Sequence, residues 1–261
     1  MSEQIQTIKP FEFKTTKENL EQIIKLSSVI VDDEIKIQLD NEGLYIATMD
    51  SSHVCLLDIA LPNSLFEKYE VNDKVLFNIR IKDFLKIIAQ FDKNESITCK
   101  PTKDKKDNDV LNLTSHELSF NVRMFEANDN NTPLPRIPYD ASISLYGNDL
   151  KKYLNKMYVI DNYQAYVNMV TTNHKCTLSN SNDDNECIIN LDKGHPKLID
   201  INVKQESNST YSLEYLIPYF KAFNENVIHQ LEYSSMKPLR INSKVFNVGR
   251  IHYYLAPRVE N

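Results

Sequence analysis

The sequence predicts an α+β chain made of two similar halves, and three observations predict it. Short apolar stretches of period two, the spacing of strands, are interrupted in each half by stretches at helical spacing. The order of these stretches repeats at an offset of about 130 residues, too long for a solenoid and the length of a duplicated domain. Between the halves, residues 126–138 lose periodicity and gather Asn128, Asn130, Asn131, Pro133, Pro135 and Pro138, the composition of a linker.

Residues 4–13 alternate loosely and suggest an opening strand. Thr15 and Thr16 then offer an N-cap for a helix with Leu20, Ile23, Ile24 and Ser27 inward and Lys17, Glu21 and Lys25 outward. Ile35, Ile37 and Leu39 form a strand, and Asn41, Glu42 and Gly43 a turn. Val75, Phe77, Ile79 and Ile81 alternate as a further strand. Lys82 and Asp83 begin a short helix carrying Phe84, Leu85, Ile87 and Ile88. Residues 96–99, 110–113 and 118–123 read as strands, with residues 103–108 a charged hairpin tip.

After the linker the pattern restarts. Residues 143–145 are a strand, and Asn148 and Asp149 cap a helix with Leu150, Tyr153, Leu154 and Met157 inward. Residues 166–169 and 175–178 form a hairpin, residues 188–189 and 199–201 are strands, and residues 211–221 run from strand into helix. Leu20, Ile23, Ile24 and Ile30 fall on Leu150, Tyr153, Leu154 and Ile160. Phe77, Ile79 and Ile81 fall on Tyr211, Leu213 and Tyr215, and Leu111 and Leu113 on Leu239 and Ile241.

Composition narrows the function classes. The 261 residues are 41% apolar and 25% charged, ordinary for a globular chain. No apolar run reaches the roughly 18–20 residues that span a bilayer, and the start lacks the basic and apolar regions of a secretory signal. Cys55, Cys99, Cys176 and Cys187 have neither C-x-x-C nor zinc-finger spacing, so no metal or cofactor is expected, and a reducing, intracellular compartment fits. The net charge of −6 argues against coating nucleic acid with the whole surface, but leaves room for one basic face. The solvent sides of the four helices supply such a face: Lys17 and Lys25, Lys82 and Lys86, Lys151, Lys152 and Lys156, and Lys221. Lysines spread in this way bind phosphate backbones without reading bases.

Residues 43–57 organise the rest. Leu44, Ile46 and Thr48 alternate with Tyr45, Ala47 and Met49, Asp50, Ser51 and Ser52 form a polar turn, and residues 54–61 return. Ser51 and His53 invite a hydrolase reading. Adjacent Ser and His rarely meet the geometry of a triad, and there is no G-x-S-x-G, P-loop, H-E-x-x-H or G-x-G-x-x-G. No catalysis is expected.

Three motifs carry a family resemblance: Gly43-Leu44, then five residues, then Asp50-Ser51-Ser52-His53-Val54; Tyr211-Ser212-Leu213-Glu214-Tyr215-Leu216; and Tyr253-Tyr254-Leu255-Ala256-Pro257-Arg258-Val259-Glu260. In order and spacing the chain resembles, end to end, the DNA sliding clamps of the proliferating-cell-nuclear-antigen (PCNA) type found in eukaryotes, archaea and some large viruses. The resemblance implies two clamp domains (1–124 and 139–261) joined by a connector loop (125–138), and three chains in a closed ring. Helices would line the inside and sheets the outside, with duplex DNA threaded through. The eight lysines become candidates for the inner surface. The resemblance also implies a pocket for partner peptides of the form Gln-x-x-(Leu/Ile/Met)-x-x-aromatic-aromatic. By position it would be lined by Met49, His53, Val54, Leu56, Leu134, Pro135, Ile137, Pro238, Tyr254, Ala256 and Pro257. Subunit contact would pair residues 118–123 of one chain with residues 175–179 of the next.

The function so implied is that of a processivity factor without catalysis. It would tether DNA polymerase, flap endonuclease and DNA ligase through their peptides, and be opened by a loader of the replication factor C type. Its place would be the nucleus in a eukaryote, the cytoplasm or nucleoid in an archaeon, or a viral replication site. A subunit of a heterotrimeric or damage-signalling ring is the alternative. The sequence departs from the family where the linker is poor in acids, where Gly numbers only 4, and where Asn155 and Val159 replace polar or basic groups.

Overall fold

The structure is a computed structural model that describes residues 8–130, 132–160, 165–224 and 226–259. The chain divides into two compact units, Met1–Thr48 with Ile59–Thr132, and Met49–Asp58 with Pro133–Asn261. The turn at Asp50 therefore groups with the second unit, away from the half in which its sequence lies.

The first unit contains β1 (Glu12–Thr16), α1 (Lys17–Ser27), β2 (Glu34–Leu39), β3 (Gly43–Met49, up to Thr48), the later part of β4 (Cys55–Pro62), β5 (Lys68–Glu70), β6 (Val75–Arg80), α2 (Ile81–Ile88), β7 (Ser96–Lys103), β8 (Asp109–Thr114) and β9 (Ser119–Phe125). The second contains β10 (Ala141–Tyr146), α3 (Gly147–Tyr158), β11 (Tyr166–Thr171), β12 (Lys175–Ser181), β13 (Glu186–Asp192), β14 (Leu198–Val203), β15 (Ser207–Ser212), α4 (Leu213–Lys221), β16 (Ile228–Tyr233), β17 (Leu239–Val245) and β18 (Gly249–Leu255). Each half thus runs strand, helix, five strands, helix, three strands.

Pairing repeats with the order. In the first unit Phe13 faces Cys99, Cys99 faces Leu113, and Leu113 faces Phe120. In the second, Ile143 faces Leu231, Leu231 faces Ile241, and Ile241 faces Tyr253. These rows are equivalent and both antiparallel, so Leu113 and Ile241 match as the sequence alignment has them. The alignment of Phe77 with Tyr211 is two residues out. Ile35 faces Ile79 as Val167 faces Tyr211, and Ile81 and Leu213 each open the second helix, so Tyr211 is the counterpart of Ile79. Ile81 misleads because it continues the alternation of β6 while already lying on the inner face of α2, where it is buried.

Local chemistry explains the helices. Thr16 caps α1, its Oγ1 accepting from Asn19 N at 3.3 Å. Helix α3 starts one residue before the expected Asn148–Asp149 cap. Tyr146 is its N-cap and has no side-chain cap bond; instead Asn226 Oδ1 accepts from Asn148 N at 2.9 Å. The early start needs Gly147, because a Cβ there would lie 2.7 Å from His229 Nε2. In each unit the two helices pack side by side, α1 on α2 and α3 on α4. Their apolar stripes, among them Leu20, Ile24, Phe84, Leu154, Leu216 and Phe220, are buried.

One expected contact is corrected. Strand β12 was placed at a subunit boundary, yet it is paired on both sides, by β11 and by β13. It has no backbone donors left for a neighbour. The outer strands of that sheet are β13 and β15, in the order β13-β12-β11-β15. In the first unit, β9 pairs with β8 along its length but with β6 only at Met124 and Phe125. Among the described residues, its Ser119–Arg123 side is open.

Candidate functional site

The turn after β3 is built by one carboxylate. Asp50 Oδ1 accepts from Val54 N at 2.8 Å and from Cys55 N at 2.7 Å, and Oδ2 accepts from the Tyr215 hydroxyl at 3.3 Å. The backbone closes the same turn, with Asp50 N donating to Cys55 O at 3.0 Å and His53 N to Asp50 O at 3.1 Å. The chain reverses through His53, whose φ of 57° lies in the left-handed region. Asp50 is 8% exposed and both its oxygens are engaged, so it orients backbone amides and not the exposed His53 imidazole. A Ser-His-Asp arrangement centred here finds no geometry in its favour.

Burial raises the Tyr215 hydroxyl above its ordinary value, and Asp50 adds to the effect, so the phenol stays protonated and donates. Burial also pushes the Cys55 thiol up to about 12, with Tyr253 opposing and Asp50 assisting, so Cys55 behaves as a small apolar side chain and not as a nucleophile.

The C-terminal segment is fastened beside this turn. Ala256 N donates to Val54 O at 2.9 Å, and Arg258 N to Thr210 O at 2.8 Å. The Arg258 guanidinium lies 5.6 Å from the centre of the Tyr166 ring. Leu239 faces Leu255, which brings Pro238 beside Ala256. The linker is tied at its far end, where Ser234 Oγ donates to Pro138 O at 3.3 Å and accepts from Asp140 N at 3.0 Å, and Arg240 covers the Tyr139 ring at 4.8 Å.

The expected pocket residues all belong to the second unit, but they differ in access. Leu56 and Tyr254 are buried (3% and 4% exposed) and act as packing beneath the surface. Met49, Val54, Pro135, Ile137, Pro238, Ala256 and Pro257 are half-buried, His53 is exposed, and Leu134 is 39% exposed. Sequence reasoning placed Asp50 in a turn whose side chains bond the backbone, as it does, and missed Tyr215 as its partner. The signal for Asp50 was present, because an Asp at the head of a short polar run commonly accepts from amides further on.

The lysines are sorted by their neighbours. Glu21 accepts from both Lys17 and Lys25 in i,i+4 ion pairs, which cancels half the positive charge of α1. Lys82 and Lys86 are exposed one turn apart on α2, as are Lys152 and Lys156 on α3. Lys151 is half-buried and Lys221 exposed. Asp149, the acid of the first turn of α3, is neutralised by Lys197 at 2.9 Å. Among the described residues, no ion pair engages Lys82, Lys86, Lys151, Lys152, Lys156 or Lys221.

Two α+β units with repeated topology, each carrying a side-by-side helix pair, define the class: a duplicated clamp fold. A solved structure of PCNA from Thermococcus kodakaraensis superposes with a TM-score of 0.84 at 22% identity, covering 95% of this chain and 100% of that one. A structure of the C-terminal region of FEN-1 bound to A. fulgidus PCNA superposes with a TM-score of 0.85 at 18% identity, covering 96% and 99%. At such identities these likenesses establish the fold. The family model for the N-terminal domain of proliferating cell nuclear antigen matches residues 14–128. The DNA polymerase sliding clamp of Nitrosopumilus maritimus is 39% identical over 245 residues, 94% of this chain and 96% of its own length. That of Cenarchaeum symbiosum is 38% identical over 256 residues, 96% and 99% of the two chains. The chain belongs to the PCNA family of DNA polymerase sliding clamps.

If Asp50 sets the turn, Asp50→Ala should lower stability by about 3 kcal/mol, because Val54 N and Cys55 N lose a charged acceptor in a buried place. A denaturant midpoint unchanged from the parent would contradict that role.

Proposed function

We propose that three copies of the chain close into a ring that encircles duplex DNA and slides on it. The observation that carries this reading is that each unit offers an edge open among the described residues, β9 over Ser119–Arg123 in the first and β13 in the second; β5, β14 and β15 also end their sheets. Head-to-tail pairing of two different edges generates a closed ring when the rotation allows, and it removes exposed strands that would otherwise aggregate. The contact is therefore β9 with β13, replacing the expected residues 175–179.

The helix lysines face the DNA in this reading, and their sequence-independent, water-mediated contacts permit sliding. The surface around Val54, Pro238, Ala256 and Pro257 receives partner peptides of polymerase, flap endonuclease and ligase, with Leu134 and Ile137 supplying the linker wall. The anchor side chains of such a peptide would hold most of the binding energy. An ATP-driven loader of the replication factor C type opens the ring, and the clamp itself catalyses nothing. Its place is intracellular. The relatives above are archaeal, which favours the cytoplasm or nucleoid over a nucleus.

Light scattering over a dilution series tests the ring, with a trimer mass that persists on dilution as the expected result. A monomer at every concentration sinks it, and a trimer formed only after adding a sister subunit moves the chain to the heterotrimeric alternative. Titration with a Gln-x-x-Leu-x-x-Phe-Phe peptide tests the pocket. Ala256→Asp, a charge on the half-buried surface that the peptide would cover, should weaken binding by at least about tenfold while leaving the trimer intact.

A further inference from the structure

Beside the candidate peptide surface the second unit holds a cation in a fixed pose. In β17 and β18 the fully buried Leu239, Ile241, Tyr253 and Leu255 alternate with residues of the opposite face, where Arg240 pairs with Tyr254 and Asn242 with His252. Pro238 comes two residues before Arg240, and Ala256 two after Tyr254. Arg240 therefore lies one strand repeat, about 6.6 Å, from Pro238.

Three neighbours hold that guanidinium. Glu232 faces Arg240 across β16 and β17, and its Oε2 accepts from Arg240 Nε at 2.7 Å and lies 2.6 Å from Nη2. The same oxygen accepts from Asn242 Nδ2, which fixes the carboxylate in turn. The guanidinium covers the Tyr139 ring, 4.8 Å from its centre. Tyr139 is itself anchored, because the buried Ser234 Oγ bonds Pro138 O and Asp140 N on either side of it. The Tyr139 hydroxyl is buried and has no hydrogen-bond partner among the described residues, so Tyr139 contributes its ring. Burial pushes that hydroxyl up to about 12, against the pull of Arg240, and the ring stays neutral.

Glu232 thus takes one edge of the guanidinium and Tyr139 one face, yet 28% of the Arg240 side chain is still exposed. A planar, weakly hydrated cation backed in this way offers its other face to a third group, and an aromatic ring gains most there. A peptide carboxylate gains little, because Glu232 already cancels the charge at a distance. Attraction to the face of a ring is short-ranged and survives that cancellation. The side chain is already immobile, so it loses little freedom when a ligand arrives.

We propose that Arg240 is a specificity-determining residue of the peptide surface: its open face receives an aromatic side chain of the partner peptide, stacked in the order peptide ring, guanidinium, Tyr139. This rests on the peptide reading above and adds to it the chemistry by which an aromatic group is chosen over an aliphatic one of equal size. An apolar floor rewards buried area, and area hardly separates a phenyl from a cyclohexyl group. A guanidinium plate does separate them, since only the phenyl ring carries a negative face.

Titration with a Gln-x-x-Leu-x-x-Phe-Phe peptide, and with the same peptide carrying cyclohexylalanine at both aromatic positions, tests it. The parent's preference for the phenyl peptide, taken as the ratio of the two Kd values, should fall by about threefold or more in Arg240→Met, which keeps a similar reach without the charge. Removing Arg240 strands the Glu232 carboxylate, so Arg240→Met combined with Glu232→Gln is read alongside and should show the same lowered preference. Circular dichroism of each variant checks that the unit stays folded. A ratio unchanged in both variants, with the two peptides kept or weakened in equal proportion, gives Arg240 a packing role and overturns the proposal while leaving the pocket in place. A parent that binds neither peptide overturns the pocket reading itself, so the two failures are distinguishable.

Discussion

Acidification from pH 7 to pH 5 should destabilise the second unit by about 2 kcal/mol through His229, and His229→Phe should remove that part of the dependence. His229 sits in β16 with no exposure. Its Nδ1 is 2.6 Å from Ser243 Oγ, which also bonds the Tyr219 hydroxyl at 2.8 Å, and Phe220 and Phe223 pack on the ring at 4.9 and 4.8 Å. Among the described residues Nε2 has no hydrogen-bond partner, and a Cβ at Gly147 would lie 2.7 Å from it. Burial therefore pushes the imidazole from its ordinary 6.5 down to about 3, with Lys151 contributing, so the folded chain keeps it neutral.

The unfolded chain takes up a proton below pH 6.5 that the folded chain refuses until about pH 3. Stability is thus complete above 6.5 and falls by about 1.4 kcal/mol for each unit below it. His252 is also depressed, to about 4, chiefly by burial and then by Arg250, and adds a second loss that begins at the same pH and ends sooner, near pH 4. Asp58, raised by burial against Arg250, acts in the opposite sense as the pH falls. Carboxylates held low by ion pairs, such as Glu21, matter only below about 4.5, so the range from pH 7 to 5 isolates the histidines. Urea midpoints at matched ionic strength measure the effect. A flat profile for the parent would show that His229 is protonated or solvated in the folded chain.

The same residues show what could be read from the sequence and what could not. Helix α1 was legible because Leu20, Ile23 and Ile24 keep the period and Thr16 supplies the cap, both local signals. The start of α3 was not, because its cap comes from Asn226 and its glycine answers to His229, contacts across some eighty residues. The short β5 and the polar β16 escaped because three residues, or a strand carrying His229, Gln230 and Glu232, make weak alternation. The other strands were legible and their order was not: nothing local distinguishes β12, with two neighbours, from β13, with one. Of the residues expected at the pocket, Leu56 and Tyr254 lie under the surface, because alternation gives the side of a strand and not its depth.

The basic helices make the other large prediction. Reversing Lys82, Lys151, Lys152 and Lys156 to Glu should reduce retention on closed circular DNA by at least about tenfold, while the assembled mass stays that of the parent. These four are chosen over Lys17 and Lys25 because Glu21 already compensates the latter pair. Counterion release predicts the form of the loss as well as its size. Each phosphate contact removed should lower the slope of log affinity against log salt by about 0.9, so the variant's residual binding should be less sensitive to salt. Net charge alone is a competing cause, since the parent already carries −6. Reversal of Lys100, Lys105 and Lys106, on β7 and its turn to β8, changes the total by a similar amount without touching a helix. If that control loses DNA as badly as the helix variant, long-range repulsion is responsible and the helix lysines have no special place. If it retains DNA while the helix variant slips off, phosphate contact belongs to the helix lysines, and an acidic protein holds an acidic polymer through a few cations placed on its helices.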